Sequence, residues 1–158
     1  MRRLTTVLLG VLLAMTAIAQ VTPPRPGAPD TRDAEVRFVP VEVIIDTGDR
    51  PLAAYQLTMH ATRGDVRIVG IEGGDPGSVF TDPPYYDPRA MQLDHVIIAD
   101  FSVAPAGDLP RGRIRVATIH VRVVGAEAPA FQAELTAAAD DTGAPVDATT
   151  SLVFGDDR

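Results

Sequence analysis

The chain has 158 residues, no cysteine, no tryptophan and a formal net charge of −7. That length suits one domain with a sizeable core, and the acidic balance argues against nucleic acid or an anionic membrane surface as a partner. With no cysteine there are no disulfides, no thiolate catalysis and no cysteine-based zinc site, so stability must come from packing.

Residues 1–19, MRRLTTVLLGVLLAMTAIA, have the parts of a secretory signal peptide. Arg2 and Arg3 form the basic start, Val7–Met15 the short apolar run, and Ala17-Ile18-Ala19 a small-x-small cleavage site. No cysteine follows for lipid attachment, and no second apolar run reaches membrane length. The expectation is an exported protein, periplasmic or extracellular, with no membrane span in the mature chain. Residues 20–34 carry four prolines and few apolar side chains, which predicts an extended linker. The domain is expected over residues 35–155, with a tail at 156–158.

Val36 and Phe38 alternate with polar or less apolar neighbours, Pro40 interrupts, and Val41, Val43 and Ile45 resume on a shifted phase. This predicts one bent strand or two short ones, because proline is tolerated at a bulge or an edge. Asp46–Arg50 reads as the turn of an opening hairpin. Ala53, Tyr55, Leu57, Met59 and Ala61 then share one face, the period of two of a half-buried strand. A third strand covers Val66–Ile71. Residues 73–93, GGDPGSVFTDPPYYDPRAMQL, form the longest irregular segment. Within it Asp87 and Pro88 suit an N-cap and first helical position, so one or two helical turns are predicted over Pro88–Leu93. Further strands are expected at His95–Val103, Arg113–Val124, Ala130–Ala138 and Val146–Phe154. Seven or eight strands separated by regular turns predict an antiparallel sandwich or barrel.

Several groups invite a chemical reading. Asp46-Thr47-Gly48 follows an apolar strand, as the catalytic loop of an aspartic protease does, and Asp141-Thr142-Gly143 repeats the triplet. Such enzymes need two aspartates facing each other to share a proton. The second copy follows Ala138-Ala139-Asp140 rather than an apolar strand end, the chain is short for a two-lobed enzyme, and Ile68-Val69-Gly70 comes too soon after Asp46 for the one-lobed kind. Both triplets therefore read as turn residues.

Tyr85 and Tyr86 sit in a proline-stiffened loop. With the adjoining Asp87 and Arg89 they are the candidate binding residues, offering rigid aromatic area and hydroxyl donors. One of the two tyrosines packing beneath the loop is the competing reading. His60, His95 and His120 form no close pair in sequence and read as strand-surface residues, so no metal site and no cofactor are expected. Asp75, Asp82, Asp87 and Asp94 cluster in the long loop with carboxylates that calcium could use. They lack the spacing of an EF-hand loop and read as a solvated acidic loop. Thr118, His120 and Arg122 share a strand face, and a bulge near Ala117 would be needed to bring Arg113 and Arg115 onto it.

The runs VPVEVIIDTGDRPLAAYQLTMHA, VRIVGIEGG, DLPRGRIRVATIHVRVVG and DDTGAPVDATTSLVFG follow one another in an order that resembles cohesin domains. Gly112, Ala117 and Ile119 fall where that pattern has its glycine, alanine and apolar positions. The resemblance implies an all-β, antiparallel jelly-roll sandwich of about eight or nine strands, an architecture shared with carbohydrate-binding modules. It also implies non-catalytic binding of a protein partner, a calcium-loaded dockerin or another exported protein. Polysaccharide binding on the same fold is the alternative expectation, and an aspartic protease using Asp46 the third.

Overall fold

Alternation of apolar and polar side chains sets the strands, and the sheets follow from where the apolar faces meet. The computed structural model describes residues 35–155. The expected signal peptide, the proline-rich segment through residue 34 and the tail at 156–158 lie outside the described residues. Eight strands form: β1 (Val36–Asp46), β2 (Ala54–Arg63), β3 (Asp65–Gly73), β4 (Tyr85–Tyr86), β5 (His95–Phe101), β6 (Arg113–Val124), β7 (Ala130–Ala139) and β8 (Thr149–Phe154). They build two four-stranded antiparallel sheets, ordered β3-β6-β1-β8 and β4-β5-β2-β7. The protein is an all-β sandwich, and its strand number and wrapping are compatible with a jelly roll.

Only β4 and β5 are both consecutive and paired. Every other connection passes from one sheet to the other. This corrects the expected opening hairpin: β1 and β2 lie in opposite sheets, and residues 47–53 arch between them. The arch is held from within. Thr47 is buried, its N–H donates to the Gly112 carbonyl (3.0 Å), and its hydroxyl donates to the Arg50 carbonyl (2.8 Å).

The core fills the space between the sheets. Val39, Val41, Val43 and Ile45 of β1 pack with Ile119, Val121 and Val123 of β6, and Leu57, Met59, Val96 and Ile98 close it from the second sheet. Each such aliphatic contributes about 1.5–3 kcal/mol on burial. The phase of β1 does not shift at Pro40, as the sequence pattern implied. Val39 and Val41 are both buried, while Val36 and Phe38 are exposed. Pro40 is tolerated for a different reason. Its carbonyl accepts from Gly155 N–H (3.0 Å), so its missing donor falls on the β8 side, where that ladder ends.

The irregularity lies instead at the β1–β6 pairing. Val43 faces Ala117 and Ile44 faces Arg115, which leaves Val116 as an extra residue on β6. Val116 and Ala117 both point inward, and the outward phase changes across them. Arg113 and Arg115 thereby join Thr118, His120 and Arg122 on the outer face of the first sheet, the arrangement for which the sequence required a bulge near Ala117.

The long segment after β3 is anchored from inside. Phe80 is fully buried, and its ring meets Tyr55 edge-on, with centroids 5.3 Å apart and planes at 79°. The Tyr55 hydroxyl donates to the Val116 carbonyl (3.2 Å). Burial chiefly, and the nearby Asp100 charge secondarily, push this phenol well above its ordinary range, so it remains a donor. The loop then closes on itself through Gly74 N–H to the Phe80 carbonyl (2.7 Å). Glycine is required at its start: a Cβ on Gly73 would overlap the Thr81 carbonyl, and one on Gly74 the Arg115 carbonyl.

Gly74→Ala should therefore lower unfolding free energy by about 2–3 kcal/mol, because the obstacle is backbone and cannot turn aside. Gly107→Ala, where a Cβ meets nothing within 4 Å, should change it little. Urea unfolding of the two variants checks this, and equal midpoints would contradict the close-approach argument.

Candidate functional site

The register of the two-residue strand β4 decides what the candidate loop presents. Tyr86 pairs with Ile98, which is buried, and Tyr85 pairs with Ala99 on the opposite phase. Paired residues in an antiparallel ladder share a face. Tyr86 is therefore partly buried against the core, whereas Tyr85 stands on the outer face of the second sheet with 69% of its surface exposed. One tyrosine packs beneath the loop, as the competing reading had it, and the other is exposed.

Asp87 and Arg89 mostly serve the loop. Asp87 accepts the N–H of Arg89 (2.9 Å) as N-cap of a single 3-10 turn, Pro88–Ala90, with Pro88 in the first turn. This is shorter than the predicted Pro88–Leu93, because Met91 is already extended and Gln92 adopts a positive φ of 72°. The Arg89 guanidinium folds back onto the same carboxylate with contacts of 2.8–3.1 Å. Those hydrogen bonds hold Asp87 below the usual carboxylate range. Asp87 and Arg89 thus form a local, exposed ion pair at the mouth of the turn.

The aromatic that sequence reasoning missed is Phe101. It ends β5, it is 60% exposed, and its ring lies 6.2 Å from that of Tyr85 with planes only 12° apart. Ile97, two ladder positions from Ala99, is 55% exposed on the same face. Tyr85, Phe101, Ala99 and Ile97 make one apolar strip along the β4–β5 edge of the sheet. The signal for Phe101 was available in the alternation of His95–Val103: Val96 and Ile98 face in, so Ile97 and Phe101 face out.

A concavity of a different kind lies elsewhere. A recess of about 490 Å³ runs between Leu135–Ala139 of β7 and the segment Gly143–Ala148. Its lining is backbone and small aliphatic side chains, with Asp147 the single ionisable group. It offers no converging polar groups, and the aromatic strip is the stronger candidate.

The outer face of the first sheet is chemically different. Arg115 donates to Glu42 (3.0 Å) and lies 3.2 Å from Asp75, and His120 lies 3.2 Å from Glu72. Arg115 thus pairs with carboxylates of its own sheet and of the long loop, whereas Arg122 Nε is buried without a hydrogen-bond partner among the described residues. Phe38 is an isolated exposed ring there.

The two Asp-Thr-Gly triplets sit at turns. Asp46 accepts the Gly48 N–H (3.0 Å), as turn aspartates do. At the second triplet the preceding residue, Asp140, does the work. It accepts from the Thr142 hydroxyl (2.7 Å) and from the N–H groups of Thr142 and Ala144 (both 3.0 Å), and it pairs with Arg50 of the β1–β2 arch (2.6 Å).

Among the acidic residues of the long loop, Asp75 engages Arg115, Asp87 engages Arg89, and Asp94 accepts from the Nδ1 of His95 (2.9 Å). Among the described residues, no group of three or more His, Asp or Glu is placed to hold a metal ion, and no helix is long and apolar enough to cross a membrane.

No protein-family model matches the chain, and no curated protein or solved structure matches it either.

The hydrogen bond from Thr142, with Arg50 and the two amides adding and burial opposing, holds the Asp140 carboxyl down at about 2. A carboxylate depressed in the folded state stabilises fully above its unfolded value of about 3.9, and that contribution is lost as pH falls toward the folded value. The stability difference between the wild type and Asp140→Ala should therefore be constant near neutrality and shrink between about pH 4 and pH 2. Denaturant titrations at several pH values measure it, and a gap unchanged down to pH 2 would contradict the assignment.

Proposed function

We propose that the domain is an exported, non-catalytic binding module that attaches to a protein partner through the outer face of its second sheet. The observation that carries this reading is the strip of Tyr85, Phe101, Ala99 and Ile97: three large apolar side chains, each more than half exposed, side by side on a regular sheet. Isolated exposed apolar residues are ordinary on protein surfaces, whereas a contiguous aromatic strip is the composition of an interface core. The strip lies open on a regular sheet face, the kind of surface another protein can cover. The resemblance of the strand and turn order to cohesins supports the same reading, with a dockerin-like or other exported protein as the partner.

Polysaccharide binding is the second reading, and one observation favours it. The nearly parallel Tyr85 and Phe101 rings form the kind of apolar platform on which a sugar face can stack.

The two readings part experimentally. Immobilised protein should capture a partner from the exported proteome of its source. Tyr85→Ala with Phe101→Ala should weaken that capture at least about tenfold, since truncating an interface aromatic costs roughly 1–2 kcal/mol or more. Both side chains are exposed, so the thermal midpoint should hold. Capture undiminished by the double variant would sink the reading. Absence of a protein partner, together with glycan retardation abolished by the same substitutions, would transfer it to polysaccharide.

A further inference from the structure

We propose that His60 and His95, which the sheet brings face to face, chelate a divalent transition-metal ion on the outer face of the second sheet. The two residues are 35 positions apart in sequence but direct partners in the β2–β5 ladder. The kind of pair they form follows from the flanking bonds. Ala61 N–H donates to the Asp94 carbonyl (2.9 Å), and Ser102 N–H donates to the Ala53 carbonyl (2.7 Å). The ladder bonds between β2 and β5 therefore fall on the odd-numbered residues of β2. His60 and His95 form a non-hydrogen-bonded pair, the type with Cα atoms about 4.5 Å apart and side chains closest. Both project to solvent: His95 is exposed and His60 half-buried.

Asp94 supplies the second observation. Its Oδ1 lies 2.9 Å from His95 Nδ1. A carboxylate only accepts, so the bond places the proton on Nδ1 and leaves the Nε2 lone pair of the neutral ring free. A carboxylate behind an imidazole in this way is the arrangement that orients metal-ligating histidines and raises their basicity. His120, by contrast, lies on the other sheet beside Glu72.

Two imidazoles suit zinc, copper or nickel rather than calcium or magnesium, which take oxygen ligands. With no third His, Asp or Glu placed to ligate among the described residues, water would complete the shell. The site is thus an exposed, exchangeable one rather than a structural centre. It shares the outer face with the Tyr85–Phe101 strip, at the other end of β5, so a bound ion would add charge beside the proposed contact surface.

The test is calorimetric titration of the full chain with zinc chloride at pH 7.5, and it is independent of any partner. One equivalent should bind, and either His60→Ala or His95→Ala should weaken binding at least tenfold. Asp94→Asn should weaken it less than removal of either imidazole. His120→Ala should leave it unchanged. At pH 5, where protons compete with the metal for imidazole nitrogen, wild-type affinity should fall at least tenfold. Far-UV circular dichroism and metal-free thermal midpoints establish that the variants fold. Absence of zinc binding by the wild type would overturn the proposal. So would binding that survives both substitutions, or that falls equally in His120→Ala.

Discussion

The buried contact between Phe80 and Tyr55 anchors the segment that presents Tyr85. The segment between β3 and β5 has almost no regular structure, and ordering it costs conformational entropy on the scale of about 1–2 kcal/mol per residue. Burial of the Phe80 ring, with its edge-to-face contact to Tyr55, is the apolar anchor that works against that cost. Around that anchor the loop closes through Gly74, Phe80 and Thr81, and β4 is delivered to the edge of β5. Because β4 is only two residues long, its pairing alone could not order the loop. The orientation of Tyr85 therefore depends on a ring buried beneath it and five residues earlier.

The two outer faces divide the surface chemistry. On the first sheet, the extra residue at Val116 brings arginines of β6 into line with His120, and neighbouring carboxylates meet them. These pairs are partly exposed and individually contribute little, about 0–1 kcal/mol each. Their consequence is that the Arg115 guanidinium is already engaged within the molecule. On the second sheet, the apolar strip and the histidine pair occupy opposite ends of β5, with neither covered by another strand of the fold. An acidic chain that uses its arginines internally leaves its aromatics as the distinctive external feature.

The strands were legible because burial imposes a period of two, and β2 and β5 follow it closely. Turn residues also read true: Asp87 and Pro88 do open a helical turn, and both Asp-Thr-Gly triplets lie at turns. What escaped was register, which depends on residues far apart in the chain. Pro40 looked like the site of a phase change, but the extra residue was on the partner strand, at Val116. The β1–β2 connection looked like a hairpin, since local sequence does not distinguish a turn within a sheet from an arch between sheets. His60 and His95 looked unrelated because only the ladder makes them neighbours. In the candidate site, Tyr85 was legible as exposed aromatic area, Tyr86 was not separable from it, and Phe101 required the phase of β5.

The central claim is that a buried Phe80 holds Tyr85 in place against Phe101. It is tested most directly by NMR cross-peaks between the Tyr85 and Phe101 rings in the wild type and in Phe80→Ala. These peaks should be strong in the wild type and vanish in the variant, while cross-strand peaks between β1 and β6 persist. Ring cross-peaks that survive in a folded Phe80→Ala protein, or are missing from the wild type, would contradict the account.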